Sequence, residues 1–264
     1  MVNMTEDKIF KKDEKITKFS WPDGKISAIS LTFDDAHISQ IDKGIPLFDK
    51  YNIKATFYIS PTSIKRRISA WKEAIKNGHE IGNHTMHHPC TGNYIFSRNS
   101  ALENYTLEQM EDELDEANDY IKNVLGIPPS SFAYPCGQKY IGRGLGVKSY
   151  VPLIAKKFLT GRGFLDESSN DPWFCDFSQL LGMGSDGKTF EELIKLVEFS
   201  KRLGHWLIFV GHKTKESEVQ STHISVLEKL CEYFQNPTNG IWVDTVENIA
   251  KYIQKIRQEK YNHF

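Results

Sequence analysis

Ile26-Ser27-Ala28-Ile29-Ser30-Leu31-Thr32-Phe33-Asp34-Asp35 is a mostly apolar, strand-like run that ends on two adjacent carboxylates. Two aspartates leaving a buried strand have no packing role to share, so the run predicts a strand that delivers polar groups to its C-terminal end. About fifty residues later a second strand-like run, Glu80–Asn83, ends on His84-Thr85-Met86-His87-His88. Two imidazoles spaced i, i+4 can converge on one ion, as on one face of a helical turn. One aspartate and two histidines make three protein ligands for a divalent metal with a position left for water. The spare aspartate is then available as a base.

Working outward, short apolar runs alternate with amphipathic stretches. Strands are expected at Ile26–Phe33, Ala55–Ile59, Glu80–Asn83, Ser131–Tyr134, Phe158–Gly161, Trp206–Val210 and Ile241–Val243. Helices are expected at Ile41–Tyr51, Ala70–Asn77, Leu107–Leu125, Tyr150–Lys157, Phe190–Leu203, Ile224–Phe234 and Val246–Ile256. Capping-box pairs mark three helix starts: Thr106 with Gln109, Thr189 with Glu192, and Asp244 with Glu247. The alternation implies an α/β fold of parallel strands, closed or nearly closed into a barrel, although an open doubly wound sheet shares the pattern. Residues 1–25 are expected to form an N-terminal arm and residues 26–264 a single catalytic barrel. Polar, irregular Cys90–Tyr105 follows the histidines, either as a wall of the substrate groove or as a surface excursion.

The 264 residues suffice for one domain of barrel size, and a formal net charge of −1 points to neither nucleic acid nor a membrane surface as partner. Lys65-Arg66-Arg67 reads as a solvated helix start. Four cysteines (Cys90, Cys136, Cys175, Cys231) show no CxxC spacing, and their pairing does not follow from the sequence. A polar Met1–Lys18 and the lack of any long apolar stretch predict a cytoplasmic protein without a membrane span; an exported chain freed of its signal would look similar.

In parallel α/β folds chemistry gathers at the C-terminal strand ends. Asp34 and Asp35, His84, and His212 after Val210-Gly211 all fall there. Singly, each has a plain reading as a turn, cap or packing residue; together they converge on one rim. His79 and His87 carry no assigned role, and His37 reads as a loop histidine.

Thr32-Phe33-Asp34-Asp35, His84-Thr85-x-x-His88 and Val210-Gly211-His212 resemble the signature segments of the polysaccharide deacetylases, carbohydrate esterase family four. Trp242-Val243-Asp244-Thr245-Val246 resembles the family's closing strand and helix. The resemblance implies a distorted (β/α)7 barrel. It also implies Asp35, His84 and His88 as metal ligands, Asp34 as the base acting on a metal-bound water, and His212 as the acid. The metal it implies is zinc first, with cobalt, nickel, manganese or iron as alternatives. Thr85 would steady the histidine loop through its hydroxyl.

Two segments depart from the family. Where Arg-x-Pro-Tyr is usual, the chain reads Phe132-Ala133-Tyr134-Pro135-Cys136-Gly137. The arginine that would pair with Asp34 is absent, and only the backbone N–H of Cys136 remains to serve an oxyanion. As a nucleophile or extra ligand Cys136 lacks an evident base. The segment that tunes the catalytic histidine is echoed loosely by Asp171-Pro172-Trp173-Phe174-Cys175-Asp176, with Asp176 as the candidate. Tyr134, Trp173 and Tyr94 are candidate sugar-stacking aromatics, with core packing an equal reading.

The resemblance implies an acetylated carbohydrate as substrate and removal of acetyl groups, N-acetyl foremost. Two alternatives stay open: a cytosolic metal-dependent hydrolase of small amides or imides on the same fold, and a carbohydrate binder that has lost useful catalysis.

Overall fold

The computed structural model describes residues 18–216 and 218–261. Ten strands are present: β1 Ser27–Asp34, β2 Thr56–Ile59, β3 Glu80–Asn83, β4 Ser131–Ala133, β5 Tyr140–Ile141, β6 Lys148–Ser149, β7 Thr160–Arg162, β8 Met183–Gly184, β9 Trp206–Gly211 and β10 Ile241–Val243. The α-helices are α1 Ile45–Lys50, α2 Ile68–Lys76, α3 Leu107–Leu125, α4 Val151–Lys157, α5 Phe190–Leu203, α6 Ile224–Gln235 and α7 Val246–Tyr261. Each of the seven expected strands is found. Sequence reading missed β8, which is two residues long, and the small β5–β6 hairpin.

The main sheet runs β7-β4-β3-β2-β1-β9-β8 with every pair parallel, and β10 joins the start of β1. Between its two edges, Gly163 N–H donates to Leu180 O at 2.7 Å and Leu180 N–H to Gly161 O at 2.8 Å. The sheet therefore curls into the distorted (β/α)7 barrel expected from the sequence.

All eight residues of β1 are buried, as a strand covered on both faces requires. Its side chains split by the two-residue period. Ile29, Leu31 and Phe33 join the core under α1, α2, α5 and α6, whereas Ala28 faces the second cluster with Trp206, Ile208 and α7. Ser30, Thr32 and Asp34 lie on the face that Ala28 shares, so the strand ends by aiming a carboxylate into the barrel.

The arm is only partly separate. Its first 17 residues lie outside the described residues, but Phe19 and Trp21 are buried in the second cluster, and Trp21 Nε1 donates to Gly204 O at 3.0 Å. The capping boxes at Thr106 and Thr189 form as expected. That at Asp244 does not, because the chain enters α7 one residue later: Thr245 Oγ1 accepts from Asn248 N–H at 3.2 Å. The Glu247 N–H instead donates to buried Glu80 at the foot of β3 (2.9 Å).

Candidate active site

Asp35 and His84 follow directly on β1 and β3, and His88 closes the turn after His84. Asp35 Oδ1 lies 3.7 Å from His84 Nε2 and 3.5 Å from His88 Nε2. Ligands held at about 2.0–2.1 Å in tetrahedral geometry stand roughly 3.3–3.5 Å apart, so this donor set fits a divalent transition metal. His84 Nδ1 faces Ala133 O at 2.8 Å, which leaves Nε2 as the lone-pair atom. Burial pushes the His84 pKa down to about 4, against the opposing pull of Asp34, and keeps the imidazole neutral as a ligand must be. Burial opposes ionisation of Asp35, yet the bond to His37 and the neighbouring imidazoles hold its carboxyl well below the usual range.

The histidines do not converge through a helix. Thr85 (φ 62°) and His88 (φ 53°) are left-handed, as are Asp35 (φ 70°) and Ala36 (φ 53°). Such backbone costs of order 1–3 kcal/mol per residue and needs support. Glu113 of α3 supplies it, accepting from the Met86 and His87 N–H groups at 3.1 and 2.9 Å. Thr85 Oγ1 donates to His84 O at 2.6 Å and accepts from His88 N–H at 3.0 Å, the steadying contact expected of it.

Asp34 has an arginine partner after all. Fully buried Arg162, at the end of β7, bonds to Asp34 Oδ1, stacks over the Tyr58 ring at 4.9 Å and donates to Gly163 O at 2.8 Å. Arg162 is paired in register with Ala133, the position at which the family's arginine would stand on β4. The charge stands one strand to the side of the expected position. Burial would raise the Asp34 pKa, but the Arg162 guanidinium, with His84 and His212, overrides it and keeps the carboxyl below its ordinary value.

His212 is tuned by Asp186, not by Asp176. Its Nδ1 lies 2.6 Å from Asp186 Oδ2, and Asp186 Oδ1 accepts from the His212 N–H (3.2 Å) and the Thr222 hydroxyl (2.8 Å). Burial lowers the His212 pKa. The Asp186 hydrogen bond and the nearby Asp34 charge outweigh it, so the net shift is upward. Fully buried Gln40 ties the ends of β1 and β9 together: its Nε2 donates to Asp34 O at 2.6 Å and to His212 O at 2.8 Å. Sequence reading missed Arg162, Asp186, Gln40 and Glu113. Asp186 alone had a signal, as an acid just after a short strand among glycines, Gly182 to Gly187.

Three other expectations fail. Tyr134 is buried and donates to Ser178 O at 2.7 Å, so it faces no substrate. Trp173 packs on Phe19 (ring centroids 4.9 Å apart) under Lys260, in the second core cluster. Asp176 caps a short turn, accepting from Ser178 N–H at 2.9 Å and Gln179 Nε2 at 3.0 Å. Tyr94 does lie beside the site, stacked with Phe96, whose ring centroid is 6.4 Å from that of His88. Cys136 forms a disulfide with Cys90, spanning 46 residues and joining the histidine loop to the Tyr134–Gly137 turn. Neither cysteine is a free nucleophile or ligand.

Residues 21–143 match the family model described as polysaccharide deacetylase, a stretch that contains the aspartate pair, the histidine pair and the Tyr134–Gly137 turn. Over that stretch the chain is similar to the polysaccharide deacetylase family. Chitin deacetylase 1 of Cryptococcus neoformans is 26% identical over 194 residues, 72% of this chain and 37% of that protein. Peptidoglycan-N-acetylmuramic acid deacetylase PdaA of Bacillus subtilis is 28% identical over 123 residues, 46% of this chain and 43% of its own length. The chain thus spans less than half of the length of these relatives. A putative polysaccharide deacetylase from Mycobacterium smegmatis shares the fold of this chain, with a TM-score of 0.65 at 15% identity over 90% of this chain and 93% of that one.

Proposed function

We propose that the protein is a divalent-metal hydrolase that removes acetyl groups, N-acetyl before O-acetyl, from a carbohydrate. The observation that carries this reading is the union of a three-donor set (Asp35, His84, His88) with two tuned pairs, Asp34–Arg162 and His212–Asp186, on one rim. A metal held by the three donors would supply Lewis acidity, polarising the acetyl carbonyl and making water easier to ionise.

The remaining work falls to side chains. Asp34, ionised and with Oδ1 taken by Arg162, accepts the proton of the attacking water at Oδ2. His212, with Nδ1 held by Asp186, donates from Nε2 to the departing nitrogen. The Cys136 backbone N–H would serve the developing oxyanion, a role that leaves its sulfur free for the disulfide. Tyr94, exposed beside His88, offers a sugar-stacking face.

A cleft of about 930 Å³ adjoins Asp35 and His88, at the upper end of the range for ligand pockets and large for a small amide. The two intact pairs weigh against a catalytically impaired binder. The Cys90–Cys136 disulfide favours an oxidising compartment over the cytoplasm, and among the described residues no helix is long and apolar enough to cross a membrane.

The reading is tested by acetate release from N-acetylated chito-oligosaccharides, peptidoglycan glycan strands and acetylated xylan, with metal-stripped and metal-reloaded protein. Acetate that requires metal is expected. A reloaded, folded protein that releases none from any of the three overturns it.

A further inference from the structure

The same cleft has a basic wall. On one side stand Asp35 and His88; on the other the β2–α2 connection brings Lys65, Arg66 and Arg67 to its edge. The wall is local, because the whole chain balances 33 basic against 34 acidic residues. Arg67 is paired with Asp42 at 3.0 Å. Among the described residues no carboxylate pairs with Lys65 or Arg66, and Asp35 is the one acidic side chain that lines the cleft.

The plain alternative is a solvated helix start, and the helix itself argues against it. Cations at the N-terminal end of a helix oppose its dipole, at about 0.3–1 kcal/mol each. Here α2 begins with no side-chain cap and no acidic residue in its first turn to offset them. The triplet brings α2 no benefit, while it does set positive charge along the cleft that leads to the candidate metal ligands.

We propose that Lys65 and Arg66 form an anion subsite, and that the substrate is an acetylated glycan bearing a carboxylate on a sugar bound beside the scissile acetyl group. The proposal rests on the deacetylase reading for where the acetyl group sits. Guanidinium and ammonium groups at a cleft edge suit a carboxylate that stays partly hydrated, and its contribution falls with salt. Thr62 and Ser63, exposed on the same wall, add hydroxyls for the sugar around it.

Binding of three probes to the full-length protein separates the outcomes: a peptide-free peptidoglycan glycan strand, the same strand with its carboxylates converted to methylamides, and a chito-oligosaccharide of equal length. The parent is expected to bind the acidic strand about tenfold more tightly than the amidated one at low salt. Lys65→Gln/Arg66→Gln is expected to erase that ratio and to leave the two neutral probes within about twofold. Both residues are exposed, and an unchanged melting temperature establishes that the variant folds. Equal affinity of the parent for acidic and amidated strands, or a ratio that survives the double substitution, overturns the subsite. A chito-oligosaccharide carrying phosphate tells whether any anion suffices; a preference for phosphate over carboxylate overturns the carboxylate assignment. Because binding is read without turnover, a protein that discriminates but releases no acetate sinks the deacetylase reading alone.

Discussion

The two halves of the site are built differently. The half proposed to hold a metal comes from two short contiguous segments, at Asp35 and His84–His88, and is held by the contacts of Thr85, Glu113 and the Cys90–Cys136 disulfide. The half proposed to handle protons is assembled from pairs remote in the chain. Asp34 and Arg162 are 128 residues apart, and His212 and Asp186 are 26 apart in different loops. Ligand geometry demands fixed atoms a few ångströms apart, which one tight turn provides. Proton chemistry demands a charge balance, and any strand that reaches the barrel interior can supply its counter-charge.

The comparison breaks first at Asp34. Asp34→Asn is expected to lower kcat about 10³- to 10⁴-fold while metal content by elemental analysis stays at parent level. His88→Ala should instead lose the metal. If both variants lose metal equally, the two halves are not separable.

Removing Arg162 should cost stability as well as activity. Arg162→Met strands a buried carboxylate, and about 3–5 kcal/mol of destabilisation in urea is expected. Adding Asp34→Asn should restore much of it. A double variant as unstable as the sum of the singles would deny that the pair is coupled.

Opening the disulfide by Cys90→Ser/Cys136→Ser removes a 46-residue loop constraint, worth about 4 kcal/mol of unfolded-state entropy. A midpoint shift below about 1 kcal/mol would show the loops to be held by their other contacts.

The smallest effect is expected at Asp186. His212 must be protonated to act as acid, so activity declines as pH rises through its pKa, which Asp186 helps to raise. Asp186→Asn should lower kcat about 10- to 100-fold and move the alkaline limb of the pH–rate profile to lower pH. The same pair adds stability that is complete below the unfolded histidine pKa and fades as pH rises through the folded one. An unmoved alkaline limb would assign that limb to another group.

Legibility in the sequence followed the same divide. The strand-helix alternation and the rim residues Asp34, Asp35, His84, His88 and His212 were readable because each stands at the end of a periodic run. Arg162 was not, because it closes a three-residue strand, and nothing in Thr160-Gly161-Arg162 marks which way its side chain points. Asp176 was named on a loose likeness of segment, whereas the structure gives Asp176 to local capping. Tyr134 and Trp173 misled for a general reason: aromatic rings look alike in sequence whether they meet a sugar or a core.

The lateral register of Ala133 and Arg162 puts the guanidinium on the same rung of the sheet as the position where the resemblance expects an arginine. Two parallel strands at the same height offer equivalent anchor points for one guanidinium. A lineage can therefore exchange them through a pair of substitutions without rebuilding the barrel. The counter-charge of such an aspartate is therefore to be sought across the rungs of the sheet as well as along the chain.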